Sequence, residues 1–246
     1  MAILIDTHIH IYDSYATEIL FQAFRDNTIR AKANMGAMIL VEREGVNYFA
    51  KLKAGEGIPP NSSIIESDET SYIIHTPSLP DIIIIAGRQI ACKEKIEILA
   101  YGTQIDIPDG TPIRDTIDQI LTVGGKPVLA WGVGKWLFKR EKIVKDLLKE
   151  YSPEQLLIGD SALRPTIWAE PLIMKSARKN GFTVLAGSDP LPPSDQALRA
   201  GQYAERYDKN IDTTMPITPQ IIKLLSQKET TVFGRRSNLK EFINNR

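Results

Sequence analysis

The sequence predicts an α/β protein built around a parallel sheet. Short apolar runs alternate with amphipathic segments of about 10–15 residues, which is the order expected when helices connect parallel strands. Four of the apolar runs end in side chains that can do chemistry, and one run contains four consecutive isoleucines. These observations leave open whether the sheet is open or closed into a barrel.

The first third of the chain contains two strand–helix pairs and a hairpin. Each strand is a short apolar run, and the first helix has apolar residues at helical spacing. A cluster of Gly and Pro at residues 55–60 interrupts this pattern, and two β-branched segments then flank Ser-Asp-Glu-Thr, which is typical of a β-hairpin. The predicted elements are the strand Ala2–Asp6, the helix Thr17–Ala33, the strand Gly36–Val41, the helix Val46–Lys53, and the hairpin Ser63–Glu66 with Ser71–Thr76.

The remainder of the chain returns to alternation of strands and helices. The isoleucine run predicts a buried strand, and alternating apolar residues predict the strand after it. The predicted strands are Asp81–Ile85, Lys95–Gly102, Pro127–Ala130, Leu156–Gly159 and Phe182–Gly187, and the predicted helices are Ile113–Val123, Glu141–Tyr151, Pro171–Asn180, Thr218–Gln227 and Asn238–Asn245. Because no linker divides the chain, we expect a single domain over residues 1–246 with a helical tail from about residue 216.

Composition and charge are those of an ordinary globular protein, with 43% apolar and 24% charged residues. The 30 Lys and Arg balance the 30 Asp and Glu, and binding to phosphate-rich surfaces needs an excess of cations. We therefore expect no nucleic acid and no membrane as a partner. Cys92 is the single cysteine, and no targeting segment or apolar run of about 18 residues is visible. These features predict a cytoplasmic protein, and they leave its oligomeric state open.

Polar side chains at four strand ends are the main indication of function. Because the carboxyl ends of parallel strands share one side of the sheet, we expect these side chains to converge in a single site. The four endings are Asp6-Thr-His-Ile-His10, Glu42-Arg-Glu44, Asp160-Ser161 and Ser188-Asp189-Pro190.

His8 and His10 are the strongest candidates for metal ligands. Their spacing at a strand end places both imidazoles on one face of the strand, where they can bind one cation. Asp189 arrives from a later strand as a carboxylate ligand, although Gly-Ser-Asp-Pro is also good turn chemistry. We favour the metal interpretation over one in which the histidines only cap backbone groups. His75, inside the hairpin, is interpreted as structural.

Two further groups are candidates for chemistry or substrate binding. Asp160 offers a carboxylate for metal binding or proton transfer, and Arg164 offers a guanidinium for a substrate anion; the alternative is an ion pair between them in a loop. Lys135 lies in a glycine- and tryptophan-rich loop that suits either a substrate lip or an aromatic plug. Trp131 directly follows a strand, and we expect it to point into the mouth of the sheet.

Motifs in the same order resemble those of the polymerase and histidinol phosphatase (PHP) family of metal-dependent hydrolases. The resemblance covers about residues 2–205 and implies a distorted TIM-like (β/α)7 barrel of parallel strands, here with an inserted β-hairpin. The related amidohydrolase barrels share the first His-x-His and the late Gly-Ser-Asp. The stretches concerned are Asp6–His10, Met38–Glu44, Ala86–Ile90, Ile96–Tyr101, Gly124–Trp131 and Gly187–Leu191.

The resemblance implies a reduced metal site. His8, His10 and Asp189 match ligand positions of the family, whose sites hold two or three divalent ions. Five further ligand positions differ: Arg43, Trp131 and Leu191 replace histidines, Gln89 replaces a glutamate, and Glu97 replaces a histidine. Protonated arginine, tryptophan and leucine cannot bind a metal. A single divalent ion (Zn, Mn or Fe) is therefore implied, with Glu42, Glu97 or Asp160 as additional ligands.

Two functions follow from these residues. The first is a metal-dependent hydrolase of phosphoesterase or amidohydrolase type, in which Asp189 or Asp160 takes the proton from the attacking water. Its small anionic substrate is held by cationic and aromatic side chains: Arg43, Arg88, Arg164, Lys135 and Trp131. The alternative is a barrel without catalysis that binds a small anionic ligand or a partner protein. Retention of both histidines and the aspartate favours the hydrolase.

Overall fold

A mixed, nearly closed barrel-shaped sheet forms the centre of the protein. The computed structural model describes residues 1–227 and 230–244 and places eleven strands of that part of the chain in one sheet. In chain order the strands are β1 (Ile3–Ile9), β2 (Met35–Glu42), β3 (Ser63–Asp68), β4 (Ser71–His75), β5 (Asp81–Ala91), β6 (Glu97–Tyr101), β7 (Lys126–Ala130), β8 (Leu157–Ser161), β9 (Val184–Gly187), β10 (Tyr203–Tyr207) and β11 (Thr231–Gly234).

Helices connect most of these strands. They are α1 (Thr17–Arg30), α2 (Tyr48–Lys53), α3 (Ile113–Thr122), α4 (Lys139–Glu150), α5 (Leu172–Lys179), α6 (Ile217–Leu225) and α7 (Leu239–Asn244), with a 3-10 helix at Ser194–Arg199. In the described ranges, no helix combines the length and the apolar character needed to cross a membrane.

The sheet is not uniformly parallel. Its order is β11-β10-β1-β2-β5-β6-β7-β8-β9, with β4 paired to β5 and β3 to β4. β1, β2 and β5 are parallel, as are β7, β8 and β9. However, β6 runs antiparallel to both β5 and β7, and β10 runs antiparallel to β1. The alternation of strands and helices agrees with the predicted α/β class, whereas the regular (β/α)7 arrangement is not confirmed.

Several predicted elements differ from those observed. The predicted hairpin forms as β3 and β4, and β4 also pairs antiparallel with the first half of β5. Sequence patterns missed β10 and β11, because β10 carries the buried Glu205 and β11 is mostly exposed. The predicted helical tail from about residue 216 therefore consists of α6, β11 and α7, and residue 245 of its last predicted helix lies outside the described part of the chain.

Both faces of the central strands are buried, which explains why they read as continuous apolar runs. Along β2, Ala37, Ile39 and Val41 belong to one apolar cluster, and Met38 and Leu40 belong to another. α6 packs into the first cluster beside Ile3 at the start of β1. The barrel end where the parallel strands begin is thus filled by apolar side chains, and the polar strand ends lie at the opposite mouth.

Candidate metal centre at the barrel mouth

The carboxyl ends of β1 and β9 meet where the sheet comes closest to closing. The Thr7 hydroxyl donates to the Ala186 carbonyl at 2.9 Å, and the Asp189 N–H donates to the His8 carbonyl at 2.9 Å. A Cβ atom on Gly187 would lie 2.4 Å from the His8 Cβ, so only glycine permits this approach. The closure therefore brings two segments more than 170 residues apart into one site.

Asp6 ties the same two segments together. One carboxylate oxygen accepts the N–H groups of Ser188 (2.9 Å) and His8 (3.2 Å), and the other accepts the Ser188 hydroxyl and the Gly201 N–H (2.8 Å). Burial raises the pKa of Asp6 to about 7, although the three N–H donors act in the opposite direction. Asp6 positions the backbone of His8 and the loop that carries Asp189, a role that the strand-end pattern did not reveal.

His8, His10 and Asp189 form a compact cluster that could bind a metal. The two Nε2 atoms lie 3.0 Å apart, and Asp189 Oδ1 lies 3.4 Å from His8 Nε2 and 3.8 Å from His10 Nε2. Each residue offers one ligand atom, and these atoms all lie within 4.8 Å of one another. Both histidines are buried, while Asp189 is partly open to the mouth.

The electrostatics of the cluster keep the histidines neutral. Burial lowers the pKa of His8 to about 4 and that of His10 to about 3, although Glu97 acts to raise the first and Asp189 the second. A neutral imidazole keeps the lone pair that metal ligation requires. Ser161 donates its hydroxyl to Asp189 Oδ2 at 2.7 Å, which leaves Oδ1 directed at the histidines.

Glu42, a predicted ligand, lies apart from this cluster. Its Oε1 accepts the Phe49 N–H at 3.0 Å in the first turn of α2, and its Oε2 lies 3.8 Å from Arg88 Nη1. Arg88 in turn donates to the Val46 carbonyl at 2.7 Å. Burial raises the pKa of Glu42, whereas Arg88 and the Phe49 N–H act to lower it. Both side chains thus hold the segment between β2 and α2.

Glu97 and Lys135 form an ion pair beside the histidines. Glu97 reaches the mouth because β6 is antiparallel, so that its first residue pairs with Ala130 at the end of β7. The Glu97 charge raises the pKa of His8 and the Lys135 charge lowers it, so both act on the cluster. Arg43, Gln89 and Glu97 line a cavity of about 440 Å³ at the mouth. Arg43 also lowers the pKa of His10.

Asp160 and Arg164 adopt the ion-paired alternative. Arg164 Nε donates to Asp160 Oδ1 at 2.9 Å and Nη2 to Oδ2 at 2.5 Å, and the Tyr203 hydroxyl donates to Oδ2 at 2.9 Å. Trp131 is buried, with its ring centroid 6.0 Å from the Arg164 guanidinium carbon. Leu191 contributes its carbonyl to the Tyr15 hydroxyl at 2.5 Å. The roles assigned to these side chains remain predictions.

No protein-family model and no curated protein sequence matches this chain. Solved structures match its fold at low identity. PsfC from Pseudomonas syringae PB-5123 superposes with a TM-score of 0.58 at 12% identity, over 99% of this chain and 96% of that one. The lesion-specific endonuclease PfuEndoQ from Pyrococcus furiosus gives a TM-score of 0.52 at 13% identity, over 94% of this chain and 58% of that one.

A further structural neighbour contains nucleic acid. It is Endonuclease Q in complex with a 27-mer duplex substrate that has an abasic lesion at the active site, with a TM-score of 0.53 and 13% identity over 99% of this chain and 67% of that one. The chain spans little more than half the length of PfuEndoQ. At these identities the likeness shows a shared fold. It supports the distant PHP-like fold that the motifs predict, without assigning the chain to that family.

The expectation of a small anionic substrate and of no nucleic acid partner is wrong. A protein of similar fold is solved with a 27-mer duplex substrate whose abasic lesion lies at the active site, so neither the fold nor a formal net charge of zero excludes this class of partner. Net charge averages over the whole surface, whereas phosphate contacts depend on the cations near the site. Here Arg43 lines the cavity beside the candidate metal ligands, and Lys135 adjoins it through its ion pair with Glu97.

Proposed function

We propose that this chain is a metal-dependent hydrolase that cleaves phosphoester bonds of nucleic acid with a single divalent ion. The observation that carries the proposal is the convergence of His8, His10 and Asp189, whose ligand atoms lie within 4.8 Å of one another at the barrel mouth. The fold likeness to Endonuclease Q supports nucleic acid as the substrate class to be tested first.

The donor set fits a divalent transition metal. Two imidazole nitrogens and one carboxylate oxygen suit Zn, Mn or Fe, and three protein ligands leave a position open for water or substrate. The two Nε2 atoms face each other at 3.0 Å within buried, neutral rings, and Ser161 orients the Asp189 carboxylate. A bound divalent ion supplies Lewis acidity and makes water a competent nucleophile near neutral pH.

The surrounding side chains supply the remaining functions. Asp189 is the proposed acceptor for the proton of the attacking water, because its carboxylate borders the candidate metal position, is partly open to the mouth and is oriented by Ser161. Arg43 and Lys135 are the proposed contacts for phosphate oxygens, with Glu97 neutralising Lys135 until substrate arrives. Asp160 is proposed as a positioning residue, because Arg164 and Tyr203 engage its carboxylate.

Metal content and activity of matched variants test the proposal. Protein purified without an affinity tag or added metal should contain about one equivalent of metal and should cleave a labelled oligonucleotide. His10→Ala should lose the metal and reduce cleavage by at least ~100-fold, because a two-ligand site binds too weakly to retain the ion. Glu42→Gln is the control, since Glu42 is a buried carboxylate of the same mouth outside the cluster, and it should keep both properties.

The opposite result identifies a barrel without catalysis. Wild-type protein that takes up no Zn, Mn or Fe even after incubation with these ions would contradict the proposal. So would oligonucleotide cleavage that is indifferent to chelator and unchanged in His10→Ala. Circular dichroism and the thermal midpoint of each variant should confirm that loss of metal does not reflect unfolding.

A further inference from the structure

The loop between β7 and α4 connects the candidate site to the surface. On its inner side, the buried Trp136 donates its indole N–H to the Ala130 carbonyl at 3.0 Å, and Lys135 pairs with Glu97 at the mouth. Arg140 donates to the Gly134 carbonyl at 2.8 Å and so fastens the loop to the start of α4. Two contacts therefore hold the inner half of the loop at the mouth, and a third fixes it to α4.

The outer side of the loop presents an aromatic residue to solvent. Phe138 is 86% exposed and has a positive φ of 59°, which aromatic residues rarely adopt. It contributes little to the core, and the neighbouring Leu137 is also half exposed. Only two residues separate Phe138 from Lys135, so their Cα atoms lie within about 11 Å of each other. The exposed ring therefore belongs to the same short loop as the lysine of the ion pair that borders the histidines.

Positive charge surrounds this ring although the whole chain is neutral. Residues 132–142 contain four cations and one carboxylate, Glu141, which pairs with Lys145 at 2.6 Å. Lys139 and Lys142 are exposed and lie three residues apart, so they share one side of α4. An exposed aromatic ring flanked by cations is complementary to a base with its neighbouring phosphates.

We propose that Phe138 stacks on an unpaired base of the nucleic acid substrate while Lys139 and Lys142 contact the adjacent phosphates. This inference rests on the proposed function, and it adds that the substrate presents an unstacked base beside the bond to be cleaved. Stacking is tolerant of base identity, because every base has an aromatic face. The loop therefore contributes affinity and position for a strand with exposed bases, with little selectivity for base sequence.

Phe138→Ala and Phe138→Trp test the stacking contact, and Leu172→Ala is the matched control. Leu172 is 83% exposed at the start of α5, so its removal deletes a similar apolar surface outside the loop. Three probes are used: a fluorescent oligothymidylate, an oligomer of the same length made of abasic residues, and bis(p-nitrophenyl) phosphate. Binding of both oligomers is measured in chelator, and hydrolysis of the small diester is measured with added metal.

Phe138→Ala should weaken binding of the oligothymidylate about tenfold, and Phe138→Trp should bind it as tightly as wild type. Neither variant should alter binding of the abasic oligomer or hydrolysis of the small diester, and Leu172→Ala should change nothing. Equal affinity of Phe138→Ala and wild type for the oligothymidylate would overturn the inference. Anionic phospholipid vesicles serve as a fourth probe: if Phe138→Ala loses binding to the vesicles but binds oligothymidylate as wild type does, the inference is overturned in favour of a membrane contact.

The two proposals fail in different ways. If wild type hydrolyses the small diester with metal but Phe138→Ala binds oligothymidylate normally, the stacking inference is wrong and the hydrolase proposal stands. If wild type shows neither metal uptake nor hydrolysis of any diester, the proposed function is wrong, whatever the behaviour of Phe138.

Discussion

The carboxylates in two sectors of the barrel mouth have different partners. Where β1 meets β9, Asp189 lies beside two neutral histidines and accepts a hydrogen bond from the Ser161 hydroxyl. Around the rest of the rim, three carboxylates face cations. These pairs are Glu42 with Arg88, Glu97 with Lys135, and Asp160 with Arg164.

The difference explains how one mouth can hold many charged groups and a small metal site. A carboxylate paired with an ammonium or guanidinium group has its charge neutralised and its oxygens occupied. Replacing the cation by a metal ion would leave that cation without its partner, which is most costly for the buried Arg164. The rim therefore offers three candidate metal ligands in one sector. The ion pairs of the other sectors place charges around them and hold neighbouring segments in position.

The largest expected effect, on both stability and metal content, comes from separating β1 from β9 without substituting a candidate metal ligand. Gly187→Ala places a Cβ atom 2.4 Å from the His8 Cβ and 2.9 Å from its backbone nitrogen, so the strands must separate. We expect a loss of about 3 kcal/mol in the free energy of unfolding and loss of bound metal. Gly159→Ala on neighbouring β8 is the control, because its Cβ would meet nothing nearer than 3.4 Å.

Denaturant unfolding and elemental analysis of the two glycine variants provide the measurement. Equal stability and equal metal content of both variants would show that the close approach of β1 and β9 does not build the site. A stable Gly187→Ala protein that lacks metal would be the sharpest result, since it separates the geometry of the ligands from the fold.

A moderate effect is expected from the ion-paired sector. The Glu97 charge raises the pKa of His8 and the Lys135 charge lowers it, and a divalent cation at His8 feels both charges with the same signs as a proton. Glu97→Gln should therefore weaken metal binding by about three- to tenfold, and Lys135→Met should strengthen it by a similar factor. Isothermal titration with Zn or Mn measures both affinities.

Glu150→Gln is the control for this pair of variants, because Glu150 forms an ion pair with Arg114 on the outer helices. A second equivalent of metal in Lys135→Met would show that Glu97 becomes a ligand once its cation is removed. If Glu97→Gln and Lys135→Met shift the affinity in the same direction, electrostatic coupling between the two sectors is disproved.

How far the sequence anticipates the structure differs between the sectors. The convergence of His8, His10 and Asp189 was predictable, because carboxyl ends of parallel strands lie on one side of a sheet. Asp6 and Gly187 were not recognised as the residues that hold β1 to β9. Their contacts depend on atoms more than 170 residues away in sequence, and no local pattern encodes them.

Strand direction limited the prediction elsewhere. Alternating apolar residues predict a strand at β6, but they cannot show that it runs antiparallel to its neighbours. Because it does, Glu97 reaches the mouth from the first residue of the strand. The sequence also could not decide the partner of Asp160. It left metal binding and an ion pair with Arg164 as alternatives, and the structure contains the ion pair. The pattern did not predict β10, because the buried Glu205 at its centre interrupts the apolar run that identifies the neighbouring strands.

The smallest expected effect is a loosening of α7 in acid, through an ion pair that is separate from the three at the rim. Glu241 of α7 accepts both Nη groups of Arg235 at 2.8 and 2.7 Å, which lowers its pKa to about 2. Because the folded pKa lies below the unfolded value, this stabilisation is present above about pH 4.5 and is lost as the pH falls toward 2. Partial exposure limits it to about 0.5 kcal/mol.

The Trp168 ring reports on this contact, because it packs against Phe242 of α7 at 5.2 Å between ring centroids. The Trp168 carbonyl also accepts a hydrogen bond from Arg164, which links α7 to the Asp160 pair. Tryptophan fluorescence of wild type should change between pH 4.5 and 2.5, and the change should be absent in Trp168→Phe. Glu241→Gln should show the acid signal already at pH 6. A wild-type signal that is flat down to pH 2.5 would mean that the ion pair of Arg235 and Glu241 does not hold α7 against Trp168.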